Sequence, residues 1–254
     1  MNAILVNLLS ATFRASVLPE VLVRYLAAVA GLLVLSWPIS DLVGRQAPPA
    51  VFPIMAFVQA LAVPFLVNSF VTGRLELRER ISAEDWIAYT PVSTVAAVAA
   101  HVVWAVILAS LLLAAGLPFT LAALPLAGDS WLTLGAVYLT VLAITALTSA
   151  FGYIVLVILP ADWVTSAAVD AAVAMWFLLT LDGGEQYAPI SGPVTVQALG
   201  SYLSPTKSVL AALSAQDGLP WGILVPIAGA VVLVLLGGIV GHIVRMQGAY
   251  VESD

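Results

Sequence analysis

The sequence contains no cysteine and a single lysine, Lys207. The missing cysteines exclude disulfides, thiol nucleophiles and cysteine-ligated metal sites. Charged residues make up only 9% of the chain and hydrophobic residues 62%, whereas an ordinary soluble domain is roughly 25% charged. Because so little polar surface is available, most of the exterior must face lipid. The composition therefore indicates an all-α integral membrane protein.

Several classes of function lack the residues that they need. The net charge of −6 disfavours a nucleic-acid partner. No Gly-x-x-x-x-Gly-Lys-Ser/Thr occurs, so the chain has no loop to cradle ATP phosphates. The two histidines, His101 and His242, have no His or carboxylate at i+3 or i+4, which is the spacing of many metal ligands. We therefore expect a protein that is not an enzyme and binds no cofactor or metal itself.

Six apolar runs are long enough to cross a hydrocarbon core about 30 Å thick, which takes roughly 20 helical residues. We predict spans at Val21–Ile39, Val51–Val71, Val95–Ala115, Trp131–Leu159, Trp163–Leu181 and Leu219–Val244. Tryptophans lie near several of these ends, where their amphipathic rings favour the headgroup level. We expect residues 1–254 to form a single transmembrane domain.

The basic residues predict how the chain is oriented. If the N-terminus is inside, six arginines are cytoplasmic and only Arg45 and Lys207 are outside. Cytoplasmic loops carry the excess of basic residues in membrane proteins. Both termini are therefore predicted to be cytoplasmic, in a multi-pass protein of the plasma membrane that is surrounded by membrane lipid.

Two apolar segments are too short to cross. Residues 1–18 have apolar side chains at i, i+3, i+4 and i+7 spacing, which indicates an interfacial amphipathic helix; the alternative is the beginning of span one. Residues 182–218 hold two short apolar patches that meet at Ser204-Pro205. We interpret them as a pair of re-entrant helices between spans five and six, and the alternative is a plain extracellular loop.

The connection between spans two and three, residues 74–91, is unusually charged. Its first twelve positions hold seven of the chain's 22 (8 + 14) charged residues. Ser82-Ala83-Glu84-Asp85 has the form of a capping box, and Trp86 and Tyr89 follow before Thr90-Pro91 interrupts the helix. The pattern predicts a short amphipathic helix on the cytoplasmic surface that offers acids and aromatics to a partner. The alternative is a solvated loop that only fixes the topology.

This connection resembles a segment of a known family. Arg78-Glu79-Arg80, Ser82-Ala83-Glu84-Asp85 and Thr90-Pro91-Val92-Ser93 are similar to E-R-E-x-G-T-L-E-x-L-x-x-T-P-V-S, which links spans two and three in the permease subunits of type-2 ABC exporters. Ser82-Ala83 stands where that family usually has Gly-Thr. Leu203-Ser204-Pro205-Thr206 is similar to the family's N-P-L-T between spans five and six.

The resemblance implies a six-span permease that pairs with a second permease, identical or homologous, and with two copies of an ABC ATPase subunit. ATP and Mg²⁺ would then be held by the ATPase. In the family the segment matching residues 74–91 is the coupling helix that docks on the ATPase. The positions that would make this contact here are Arg78, Glu79, Glu84, Asp85, Trp86 and Tyr89.

Polar residues inside the predicted spans are candidates for a translocation path. They are Gln59, Asn68, Thr140 and Asp170. For Asp170 and the threonines the alternative is a hydrogen bond that only fixes helix packing. Asp170 and His101 could instead form the proton relay of a stand-alone secondary transporter or intramembrane enzyme. The mostly apolar interior favours a hydrophobic or amphipathic substrate.

Overall fold

The computed structural model describes residues 17–36, 51–73, 93–127, 130–158, 163–180, 202–214 and 219–251. These ranges form seven α-helices and contain no strand. The helices are α1 (Val17–Ser36), α2 (Val51–Gly73), α3 (Thr94–Ala127), α4 (Trp131–Ile158), α5 (Trp163–Thr180), α6 (Pro205–Ser214) and α7 (Leu219–Val251). Over the described ranges the prediction of an all-α protein is confirmed.

Five helices, α1, α2, α3, α4 and α7, are long and apolar enough to cross a membrane. The helix at the fifth predicted span, α5, has a shorter apolar part, Ala167–Trp176. The protein therefore has the helices of a multi-pass membrane protein.

The predicted boundaries hold closely for α2, α4 and α5, and three other boundaries differ. Helix α7 continues to Val251, past the predicted end at Val244. The first span was predicted to begin after Pro19-Glu20, yet α1 begins at Val17. Proline is tolerated there because the first turn of a helix does not use its backbone N–H groups. The third span was predicted to end at Ala115, yet α3 continues to Ala127 through Pro118 and Pro125. Neighbouring helices can compensate for backbone groups that a proline leaves free inside a membrane protein.

Three helices begin with the same capping device. Ser93, Ser130 and Ser204 each precede a helix and accept a hydrogen bond at the hydroxyl oxygen from the backbone N–H three residues later, at 3.3 Å in every case. Such a cap satisfies one of the N–H groups that the first turn leaves unpaired. The Ser204 cap places the beginning of α6 at the break predicted from Ser204-Pro205.

Contacts between side chains establish how the helices run. On α4 and α7, Leu147 lies against Gly229 and Ile154 lies against Gly237, so both positions advance together and the helices are parallel. On α3 and α4 the order is reversed. Thr120 meets Tyr138 near the beginning of α4, and His101 meets Tyr153 near its end. Helices α3 and α4 are therefore antiparallel.

Helix α4 lies at the centre of the bundle and packs against α2, α3, α5, α6 and α7. Of its apolar window 67% is buried, against 11% for α1 and 22% for α7. The short helix α6 also contacts α2, α5 and α7 and buries Pro205, Thr206, Ser208 and Val209. The second apolar patch of residues 182–218 is thus a helix packed on the bundle. The first patch, around residues 194–203, lies almost entirely outside the described residues.

Candidate functional site

Helix α2 carries two of the predicted path residues, and both are buried. Gln59 and Asn68 are each 1% exposed. They are nine positions apart, which at about 100° per residue puts them on opposite sides of the helix. The two polar side chains therefore lie in two separate clusters. Their spacing in the sequence already indicates that they face different neighbours.

The first cluster, called here the tyrosine cluster, consists of Tyr25, Gln59, Thr120 and Tyr138, from α1, α2, α3 and α4. The Gln59 Nε2 donates to the Tyr25 hydroxyl oxygen at 3.1 Å. The hydroxyls of Thr120 and Tyr138 are 2.6 Å apart and share a hydrogen bond, and Tyr138 also interacts with Gln59. The cluster therefore joins four helices through polar groups that are buried or partly buried.

A glycine makes room for the tyrosine cluster. A Cβ atom added to Gly116 on α3 would lie 2.7 Å from the Tyr25 hydroxyl oxygen and 3.2 Å from Nε2 of Gln59. Any larger residue at this position would displace the polar groups. Gly116, which marks the end of the span in the sequence pattern, instead lets α1 and α2 approach α3 closely.

The second cluster, called here the carboxylate cluster, consists of Asn68, Ser69, Ser149 and Asp170, from α2, α4 and α5. The Ser149 hydroxyl donates to Oδ1 of Asn68 at 3.3 Å, and the Asp170 carboxylate interacts with Ser69. The other carboxylate oxygen, Oδ1 of Asp170, is buried and has no hydrogen-bond partner among the described residues. The cluster thus leaves one buried carboxylate oxygen on α5 without a hydrogen-bond partner among the described residues.

Thr140 belongs to neither cluster. It is fully buried, and its hydroxyl donates to the backbone oxygen of Ala136 within α4 at 2.9 Å. Thr145 and Thr148 bond to carbonyls of the same helix in the same way. These bonds satisfy the hydroxyls inside α4, as expected of a packing role. The assignment of Thr140 to a path stays a prediction.

His101 and Asp170 are not joined. The His101 ring packs edge-on against Trp104 and Tyr153, with centroids 5.6 and 4.8 Å away. No ion pair forms between His101 and Asp170, and Nε2 of His101 is buried without a hydrogen-bond partner in the described part of the chain. Within those ranges no group of three or more His, Asp or Glu residues could hold a metal ion.

The predicted ATPase-contacting residues lie in the connection between α2 and α3. Arg78, Glu79, Glu84, Asp85, Trp86 and Tyr89 are all outside the described residues, as are residues 1–16 of the predicted interfacial helix. The flanking helices are described: α2 ends at Gly73 and α3 begins at Thr94. These two helices pack against each other.

Tyr25, Thr120 and Tyr138 were not among the residues predicted from the sequence. The signal for the tyrosines was their position inside apolar runs, because a buried tyrosine hydroxyl usually requires a partner. Their partner, Gln59, is 34 positions from Tyr25. That distance along the chain hides the pairing from any local pattern.

Comparison with known proteins gives no relative: no family model, no curated protein and no solved structure matches this chain.

Removing the bond between Tyr25 and Gln59 should cost little stability. For Tyr25→Phe, Gln59→Leu and the double variant, we expect a coupling energy of about 0.6 kcal/mol, as is usual for hydrogen bonds between transmembrane helices. Unfolding in detergent with increasing SDS measures it. Tyr25→Phe combined with Ser149→Ala, in the other cluster, is the control. The effects of these two changes on the free energy of unfolding should be additive. Equal coupling in both cycles would contradict a direct bond.

Proposed function

We propose that this chain is the transmembrane permease subunit of an ATP-driven exporter of the type-2 ABC class. The observation that carries the proposal is the charged connection between α2 and α3, with its acids, its aromatics and the Thr90-Pro91-Val92-Ser93 ending. A simple turn between two packed antiparallel helices needs only a few residues. Here residues 74–92 separate α2 from the Ser93 cap of α3. A segment of this length and charge can provide a surface for a partner.

In this proposal the partner is an ABC ATPase. Two copies supply the phosphate-binding loop, ATP and Mg²⁺ that this sequence does not provide, and a second permease, identical or homologous, completes the transporter. Residues 74–91 form the coupling segment, and its short helix at Ser82–Tyr89 docks on the ATPase. Glu84 and Asp85 face basic groups of the ATPase, and Trp86 and Tyr89 pack against it. Closure of the ATPase pair would then push on the ends of α2 and α3.

The proposed topology has six spans, with α5 as the fifth, and both termini in the cytoplasm of a plasma-membrane protein. Helix α6, packed on α2, α4, α5 and α7, is the second of the two re-entrant helices. Residues 1–16, which precede α1, form the interfacial helix. The positive-inside distribution of the arginines supports this orientation.

The path is proposed to use α2, which carries polar groups of both clusters. Pro64 lies in α2 between Gln59 and Asn68, and a proline removes one helical hydrogen bond and favours a bend. A change of bend at Pro64 would shift Asn68 relative to Gln59, and with it the carboxylate cluster. Few ionisable groups line the bundle, which suits a hydrophobic or amphipathic substrate such as a lipid, drug or peptide.

Reversing the acids of the coupling segment tests the proposed docking. We expect Glu84→Lys with Asp85→Lys to weaken association with the ATPase by about tenfold, because opposed charges at an interface become like charges. Co-purification of the tagged chain from its native membrane, followed by titration of the isolated ATPase, measures the loss.

A matched double reversal in another connection serves as the control. Asp182→Lys with Glu185→Lys makes the same change of charge between α5 and α6 and should leave association intact. Unchanged association in the Glu84 and Asp85 variant would contradict the docking assignment. Transport by the purified chain alone, driven by a proton gradient without ATP, would contradict the proposed class as a whole.

A further inference from the structure

A groove runs between α1 and α2. Its volume is about 210 Å³, larger than the apolar cavity of about 150 Å³ that holds a benzene molecule in an engineered protein. Apolar side chains form most of its walls: Val29, Val58, Ala62, Phe65 and Leu66. The groove can hold a stretch of hydrocarbon chain.

One charged residue borders this apolar groove. Arg24 lines it from α1, and its side chain is 68% exposed. The guanidinium forms an ion pair with Glu20, one turn earlier on the same helix. A guanidinium has five N–H donors, and the Glu20 contact uses Nη2. Arg24 can therefore bind a further anion beside the groove.

Two polar side chains lie beneath the groove, but almost none of its accessible lining is polar. Tyr25 and Gln59 line it, and both are buried. Oε1 of Gln59 is a buried acceptor without a hydrogen-bond partner among the described residues, and it has no surface open to the groove. The groove thus combines a cation at its edge with apolar walls.

The position of α1 decides what reaches this groove. Helix α1 packs against α2 and α3, and Val23, Val34 and Leu35 on it are 64%, 67% and 82% exposed. In a membrane-spanning helix such side chains face hydrocarbon. A ligand therefore meets the groove from the lipid phase, and it must carry an apolar chain and an anionic group.

We propose that the groove between α1 and α2 is a binding site for an anionic phospholipid. The phosphate binds the Arg24 guanidinium, and one acyl chain lies along Val29, Val58 and Phe65. Phosphatidylglycerol represents this class of lipid, because its headgroup carries a net negative charge that can pair with Arg24. The proposal rests on this groove and holds whether or not the chain is a permease.

The test uses the full chain in nanodiscs of equal parts phosphatidylglycerol and phosphatidylcholine. Lipids that remain bound after extraction into mild detergent are counted by native mass spectrometry. We expect the protein to retain phosphatidylglycerol in preference to phosphatidylcholine. Arg24→Gln should lower that preference about tenfold, since a charge-assisted Arg–phosphate contact is lost. Glu20→Gln should raise the preference, because it releases Arg24 from its ion pair.

Matched variants separate the groove from general lipid contact. Ala28→Phe places a ring in the groove and should reduce retention, whereas Ala228→Phe makes the same change on the exposed face of α7 and should not. Lys207→Gln removes a cation elsewhere and should leave the preference unchanged. Equal loss in the Arg24 and Lys207 variants, or full retention in the Ala28 variant, would overturn the proposal. Ala28→Phe leaves the Arg24–Glu20 pair in place, so it also tests a chain whose charges are intact.

Discussion

Replacement of Gly238 by leucine is expected to separate α7 from α3 and to prevent recovery of folded protein. A Cβ atom on Gly238 would overlap Cγ2 of Val95 and lie 3.1 Å from the Val95 Cα. The backbone oxygen of Gly238 also accepts a hydrogen bond of 2.7 Å from the Thr94 hydroxyl. Backbone cannot move aside as a flexible side chain can. Overpacking by even a few atoms costs about 1–3 kcal/mol, and leucine adds four carbons at this contact.

The yield of monodisperse protein and its unfolding in SDS measure this effect. Gly135→Leu on α4 is the control, because nothing lies within 4 Å of a Cβ atom added there. That variant should fold normally and gain slightly, since glycine inside a helix costs about 0.5–1 kcal/mol relative to alanine. In the milder variant Gly238→Ala, the additional change Val95→Ala should restore part of the lost stability, because it removes the nearer of the two clashes. Equal stability of the two leucine variants would show that α3 and α7 do not meet at Gly238.

Replacement of Trp104 by alanine is expected to cost about 3–5 kcal/mol, the usual range for a buried tryptophan. Trp104 is 1% exposed and heads the ranking, by volume, of fully buried side chains in the described ranges. Its ring packs edge-on against His101. Removing it leaves a cavity between α3 and its neighbours, and the lost packing is not recovered by lipid, which cannot enter a closed interior.

Trp131→Ala is the matched control for this prediction. Trp131 lies at the first residue of α4 and is 70% exposed, so its loss should change stability by less than about 0.5 kcal/mol. Circular dichroism of thermal unfolding in detergent compares the two variants without depending on tryptophan fluorescence. Equal melting temperatures would mean that Trp104 does not fill the interior of the bundle.

The helices could be predicted from sequence where a local signal marks both ends. Helices α4 and α5 begin at their predicted tryptophans, Trp131 and Trp163, because each tryptophan follows a polar or proline-containing stretch of sequence. The end of α3 could not be predicted in this way. Gly116 and Pro118 are usual stop signals, but packing of Gly116 against Tyr25 and Gln59 stabilises a helix that propensity alone would end.

The candidate site could also be predicted only in part. Burial of Gln59 and Asn68 within the bundle was predictable, because polar groups at membrane depth avoid lipid. Their partners were not, since Ser149 is 81 positions from Asn68 and nothing local links them. A proton relay between Asp170 and His101 would require the two side chains to meet. Their similar depth in the predicted spans allows this, but depth does not determine which faces of two helices meet.

The length of α3 has a consequence for the surrounding bilayer. Its 34 residues extend about 51 Å at 1.5 Å per residue, whereas the hydrocarbon core is about 30 Å thick. A tilt at the upper end of the observed range, about 40°, still leaves roughly 39 Å along the membrane normal. Nearby lipids must stretch, or the proline-containing last third of α3 must leave the hydrocarbon. The length of the lipid chains would then affect the tilt of α3, and through α3 its packing against α4 at the centre of the bundle.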